Sequence, residues 1–188
     1  MDAFSYLSVL LSIIIGLAMT QILLGYRGLL LARARVTFYA PSIIWSGLLL
    51  IMAAQNWWAS FGYTHHRGEW TFLAFSVVLL QTVMLYMIAG LVLPDMPPDQ
   101  PIDLKAHYCR ERRVFFGLFL AMLAVSVSKD WVVDHSLPSI PNLAFHGVFA
   151  TLSLAGVLVK QPRFHEIATP LAALITAGYI ALLFARLA

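Results

Sequence analysis

Six long uncharged runs divide this chain: Ala3–Tyr26, Val36–Thr64, Trp70–Pro94, Val114–Ser128, His135–Val159 and Ile167–Ala185. A helix needs roughly 20 mostly apolar residues to cross the hydrocarbon core of a bilayer. The first, second, third and sixth runs meet that length outright. The fourth is short, because Lys129 and Asp130 interrupt it before Trp131-Val132-Val133. It still spans if Lys129 snorkels or pairs with its neighbour. The fifth opens in the turn Pro138-Ser139-Ile140-Pro141, so its helix is predicted from near Asn142.

The runs are continuous, as in Ile13-Ile14-Ile15 and Leu48-Leu49-Leu50-Ile51. A membrane barrel strand would alternate apolar and polar residues instead. In lipid every backbone amide needs an internal partner, so helices must carry the spans. The prolines Pro41, Pro162 and Pro170 are read at helix starts, away from the middle of any span. The pattern predicts an all-α integral membrane protein, a single domain over 1–188 built as a six-transmembrane-helix bundle with short loops. Its helices are expected at about 3–31, 37–62, 70–93, 113–133, 142–160 and 165–186, with a cytoplasmic loop at 94–112.

Composition narrows the class further. Hydrophobic residues make up 61% and charged residues 11% of the chain, against about 25% charged in an ordinary soluble domain. The net charge of +3 does not signal nucleic acid, since the basic residues sit in short loops between apolar runs. There they act as a threading signal. Arg27, Arg33, Arg35, Lys105, Arg110, Arg112, Arg113, Lys160 and Arg163 fall in the odd connections, nine in all; Arg67, Lys129 and Arg186 fall on the other side. Nine against three predicts odd connections in the cytoplasm, both termini external, and a bacterial inner (plasma) membrane location. Trp57, Trp58, Trp70 and Trp131 then sit at the outer interface, where indoles anchor helices. The first run has no basic residues before it, so it is read as a retained span rather than a cleaved signal.

The one sizeable loop joins a proline-rich spacer, Pro94 to Pro101, to a basic stretch ending at Arg113. The basic stretch is read as a positive-inside stop signal, with an interfacial helix on anionic lipid as the other reading. Cys109 lies within it as a reduced, solvated thiol, and His107-x-Cys109 is half a metal site at most.

Polar residues inside spans are expensive and carry the functional question. Ser8, Ser12, Gly16 and Thr20 recur at four-residue spacing, and Ser42, Ser46, Ala53, Asn56 and Ser60 share a face of the second helix. Thr169, Ala173 and Thr176 do so on the sixth. Such small-residue stripes are read as helix-packing seams. Gln81 and Thr82 stand at the midplane of the third helix, and Gln21 sits nearer the cytoplasm on the first. Each serves either as inter-helix glue or as a pathway lining.

The outer half holds the densest constellation. Gln55 and Asn56 end the second helix, Ser126, Lys129 and Asp130 share a face near the end of the fourth, and Asn142 and His146 are four apart on the fifth. Gln55, Asn56, Lys129, Asp130, Asn142 and His146 are therefore the candidate outward-facing polar pocket. The competing reading makes Lys129–Asp130 a helix-end marker and His146 part of a satisfied network.

No metal or cofactor is expected. His65, His66 and Glu69 cluster in one connection and Asp134-His135 in another, yet adjacent histidines rarely share one zinc ion. Only His146 is read within a span, too few for bis-histidine haem, and no catalytic or phosphate-binding motif occurs. Three function classes stay open. The first is a small carrier, channel or receptor for a small solute or protons. The second is an accessory or scaffold subunit without chemistry of its own, and the third a membrane-embedded enzyme acting on a lipid or quinone. Expected partners are membrane lipids and either a second copy or other membrane subunits, not nucleic acid.

Overall fold

The computed structural model describes residues 3–62, 70–97 and 100–183. They form α1 (Ala3–Leu31), α2 (Ala40–Ser60), α3 (Phe72–Leu91), α4 (Leu104–Asp134), α5 (Ile140–Leu158) and α6 (Pro162–Leu183). A short 3-10 turn at Arg33–Arg35 leads into the two-residue strand β1 (Val36–Thr37), which pairs in parallel with β2 (Ile102–Asp103). This bridge ties the α1–α2 link to the start of α4.

Local chemistry sets the helix ends. Pro41 and Pro141 occupy first-turn positions, where a missing N–H costs nothing. Thr71 caps α3 by accepting from the Ala74 amide at 3.1 Å. Asp103 caps α4 by accepting from Lys105 and Ala106 at 2.9 and 3.0 Å. His135 ends α4 in the left-handed region at φ 50°.

Each helix touches its neighbours in the order α1, α2, α6, α5, α4, α3 and back to α1, and α2 also contacts α3 and α4 across that ring. Five helices are long and apolar enough to cross a membrane; α2 falls short of that composition. Gln55, Asn56 and its Trp, Ser and Pro residues dilute it. Four neighbouring helices shield α2, so it needs less apolar surface than a helix bathed in lipid. Outward faces elsewhere carry exposed Ile13, Leu17, Leu24, Phe72, Leu154 and Leu174, a surface that suits hydrocarbon rather than water.

The half of the bundle bearing the basic connections is packed around Trp45. Its indole meets Phe115, Phe116 and Phe119 edge-on, with centroids 5.5, 5.4 and 5.6 Å away. Beside it, the Tyr108 hydroxyl donates to His165 Nδ1 at 3.0 Å, and His165 Nε2–H donates to the Val159 carbonyl at 2.9 Å. The carbonyl can only accept, which fixes the tautomer.

Several sequence expectations change. The region 94–112 is not all loop: Leu104–Arg112 are the first turns of α4, because Asp103 caps them. There, side chains finish the neighbouring helices. His107 Nε2 donates to the Leu91 carbonyl at the end of α3 (2.9 Å), and buried Arg112 donates to three carbonyls at the end of α5. Cys109 is thus a half-buried helical residue. Pro170 lies inside α6, which starts eight residues earlier. His165 and His107 are also helical, so His146 is not the sole histidine in a helix. Lys129–Asp130 does not end α4, which runs on to Asp134.

Apart from Ser12, whose hydroxyl accepts from the Trp57 indole of α2 at 3.1 Å, the α1 stripe packs little within the described residues. Ser12 and Thr20 turn their hydroxyls back to the Ser8 and Gly16 carbonyls, and the buried face of α1 is instead Leu7, Leu11, Ile15, Ala18 and Ile22. By contrast Ser42, Ser46, Ala53, Thr169 and Thr176 are buried between helices. The remaining boundaries differ from expectation by a few residues. His65, His66, Arg67, Glu69 and Arg186 lie outside the described residues.

Candidate functional site

Away from the aromatic core, toward the other end of the bundle, the helices part around a cavity of about 480 Å³. Pockets that hold small ligands typically measure about 300–1,000 Å³. Because the helices run antiparallel, the carboxyl ends of α2, α4 and α6 and the amino ends of α3 and α5 meet at this level. All six pocket candidates line it: Gln55 and Asn56 from α2, Lys129 and Asp130 from α4, Asn142 and His146 from α5. Gln81 reaches it from α3. Its neighbour Thr82 does not, being buried with its hydroxyl donated to the Val78 carbonyl at 3.1 Å.

The rim is a linked chain of hydrogen bonds. Ser126 on α4 donates to His146 Nε2 at 3.1 Å, and His146 Nδ1–H donates to the Asn142 carbonyl at 2.9 Å. The Asn142 side-chain oxygen accepts from the Tyr179 hydroxyl of α6 at 3.0 Å, and Gln55 of α2 lines the cavity with them. Three helices are joined around one opening. Lys129 Nζ and Asp130 Oδ1 stand 3.8 Å apart on the wall, their side chains 16% and 25% exposed. Such a pair costs least when its charges offset one another and keep contact with water.

Deeper in, the lining turns apolar. Met52, Leu85, Phe119, Met122 and Phe149 form the floor, with Phe119 and Phe149 centroids 6.4 Å apart. Phe145 packs edge-on against Tyr179 at 5.1 Å. Below the floor lies the Trp45 cluster, where one void beside Trp45 and another beside Phe115 measure about 10 Å³ each, too little for a ligand.

Tyr179 and Thr176 complete the site from α6, and sequence reasoning missed them. A tyrosine near a span end reads as an interfacial anchor. The usable signal was its position three residues beyond Thr176, on the stripe begun by Thr169. Ser126 and His146 resemble a nucleophile and its base, but the imidazole's second nitrogen is held by its own helix carbonyl. No carboxylate orients it in the manner of a hydrolytic triad. Among the described residues no three of His, Cys, Asp and Glu gather closely enough to hold a metal. What the arrangement can do is bind: a hydrogen-bonding, partly charged rim above an aromatic floor suits a small polar or amphipathic solute. No family model, curated protein or solved structure matches this chain.

Proposed function

We propose that this is an inner-membrane solute-binding protein, a carrier or receptor whose polar pocket faces outward. The observation that carries the reading is the hydrogen-bonded rim Ser126–His146–Asn142–Tyr179, which with Gln55 frames a cavity of about 480 Å³ beside the Lys129–Asp130 pair. Polar groups brought together at that cost, around a space left unfilled, are better matched to a ligand than to packing. An open channel is a poorer fit, because the Trp45 cluster fills the rest of the bundle.

The test is binding. Purified protein screened against small polar and amphipathic solutes should show concentration-dependent thermal stabilisation by at least one class. Asn142→Ala and Tyr179→Phe should weaken that stabilisation about tenfold, as expected for losing hydrogen bonds worth about 1.4 kcal/mol. Stabilisation that survives both variants unchanged would move the site elsewhere.

In this reading α2 is the sixth span, the odd connections are cytoplasmic and the termini external. With Cys109 replaced by serine, a cysteine introduced for Lys160 should react with a membrane-impermeant maleimide only in inverted vesicles. One introduced for Leu137 should react in intact spheroplasts. The opposite labelling would turn the pocket to the cytoplasm.

One observation favours the accessory-subunit reading: the Ser12–Gly16–Thr20 edge of α1 is exposed and Gly16 meets nothing within 4 Å. Small residues on an open helix face allow close helix–helix approach. A cysteine introduced for Gly16 that forms no crosslink in native membranes, to a second copy or to another subunit, counts against it.

A further inference from the structure

We propose that the groove between α1 and the end of α3 binds an aminophospholipid, with its phosphate on Arg27 and Arg35 and its ammonium on Asp95. This groove, about 520 Å³, lies at the basic end of the bundle and shares no lining residue with the cavity above. It therefore stands apart from the solute-binding reading.

Its charges are arranged for a headgroup. Arg27 and Asp95 are exposed on its walls, and neither forms an ion pair within the described residues. Arg35 gives one nitrogen to the Pro97 and Gln100 carbonyls, which fixes the guanidinium while leaving its other N–H groups to donate. A guanidinium matches phosphate oxygens in a fork geometry. Asp95 makes the choice among headgroups. A purely anionic lipid meets a like charge there, whereas a primary ammonium meets a carboxylate and can hydrogen-bond it. A trimethylated ammonium has no N–H to offer.

The groove also has the right depth profile. Gln21 lines it six residues before Arg27, about 9 Å nearer the midplane at 1.5 Å per residue. Its amide donates to the Tyr86 hydroxyl at 3.3 Å, putting polar groups at the level of glycerol ester oxygens. Exposed Leu24 lines the groove between those two levels, and exposed Leu17, one turn beyond Gln21, begins the surface an acyl chain would follow. Gly90 keeps the groove wall open, since a Cβ there would meet nothing within 4 Å.

The full chain, purified in micelles doped equally with phosphatidylethanolamine, phosphatidylcholine and phosphatidylglycerol, should retain phosphatidylethanolamine preferentially in native mass spectra. Arg27→Gln should lower that retention about fivefold, the scale set by one basic residue at a headgroup. Asp95→Asn should turn the preference toward phosphatidylglycerol. Gly90→Leu, whose Cβ would meet nothing within 4 Å, projects into the groove and should displace lipid while leaving a monodisperse protein. Equal retention of the three lipids, or a preference for phosphatidylglycerol in the unaltered chain, would overturn the proposal. So would a dimer carrying no lipid.

Discussion

Replacing Arg112 with alanine is expected to cost about 3 kcal/mol of stability, because the Gly156 and Val157 carbonyls lose their side-chain partner together and Val159 keeps only His165. Arg112 is 6% exposed, and its Nη1 donates to the Gly156, Val157 and Val159 carbonyls at 3.1, 2.7 and 3.2 Å. The last carbonyls of a helix have no partner within it, and they carry the negative end of the helix dipole. A guanidinium placed there answers both needs. Alanine leaves the Gly156 and Val157 carbonyls without that partner, leaves Val159 to His165 alone, and opens a hole beside them. Lysine keeps the charge but its Nζ ends one bond short of the Nη1 position, so it should recover only part of the loss. Unfolding in mixed micelles by denaturing detergent reads the difference directly. A change within about 0.5 kcal/mol, the scatter of ordinary surface substitutions, would show that the capping bonds do not hold α5 in place.

A second large loss is expected from Gly156→Val. A Cβ at Gly156 would stand 2.6–2.8 Å from three atoms of the Phe116 ring. That ring cannot yield easily. It lies against Trp45 at 5.4 Å, Phe115 at 5.0 Å and His165 at 5.9 Å. Overpacking of this kind costs about 1–3 kcal/mol, with the upper end expected where every neighbour is aromatic. Gly156→Ala should cost less, and Phe116→Leu should partly rescue valine by making room. The Gly156 carbonyl is also one of Arg112's acceptors, so displacing α5 should weaken the cap as well. The losses in a Gly156→Val, Arg112→Ala double variant should therefore sum to less than the two single losses. Strict additivity would mean that the packing and the cap act independently.

Both residues show why part of the protein was out of reach from sequence. Arg112 is one of the nine basic residues assigned to the odd connections, yet nothing local distinguishes it from Arg113. Only the approach of the end of α5 makes it a structural cap. Gly156 is one of eleven glycines, and its close contact exists only because Phe116 comes from another helix. His165 is a further case, since its partners lie 57 and 6 residues away along the chain.

The site was more legible than the core. Gln55, Asn56, Lys129, Asp130, Asn142 and His146 stood out because polar groups are rare in apolar runs, and helix direction alone gave them a common depth. The same depth reasoning picked out Gln21 and Gln81, but it could not say which way either faced. Gln81 turns into the cavity, while Gln21 turns to the outer groove of α1.

By itself the sequence determined the helical class, the apolar runs, the charge asymmetry and the level at which the polar residues lie. All of these follow from the one-dimensional match between run length, backbone hydrogen bonding and the apolar slab. The tertiary structure alone decided which helices are neighbours, that α2 crosses the ring, that Tyr179 joins the rim, and that the space between the rim residues stays open. Those depend on rotation about each helix axis, which is set by contacts between residues far apart in the chain. A bilayer fixes the depth of a side chain but leaves its azimuth to packing.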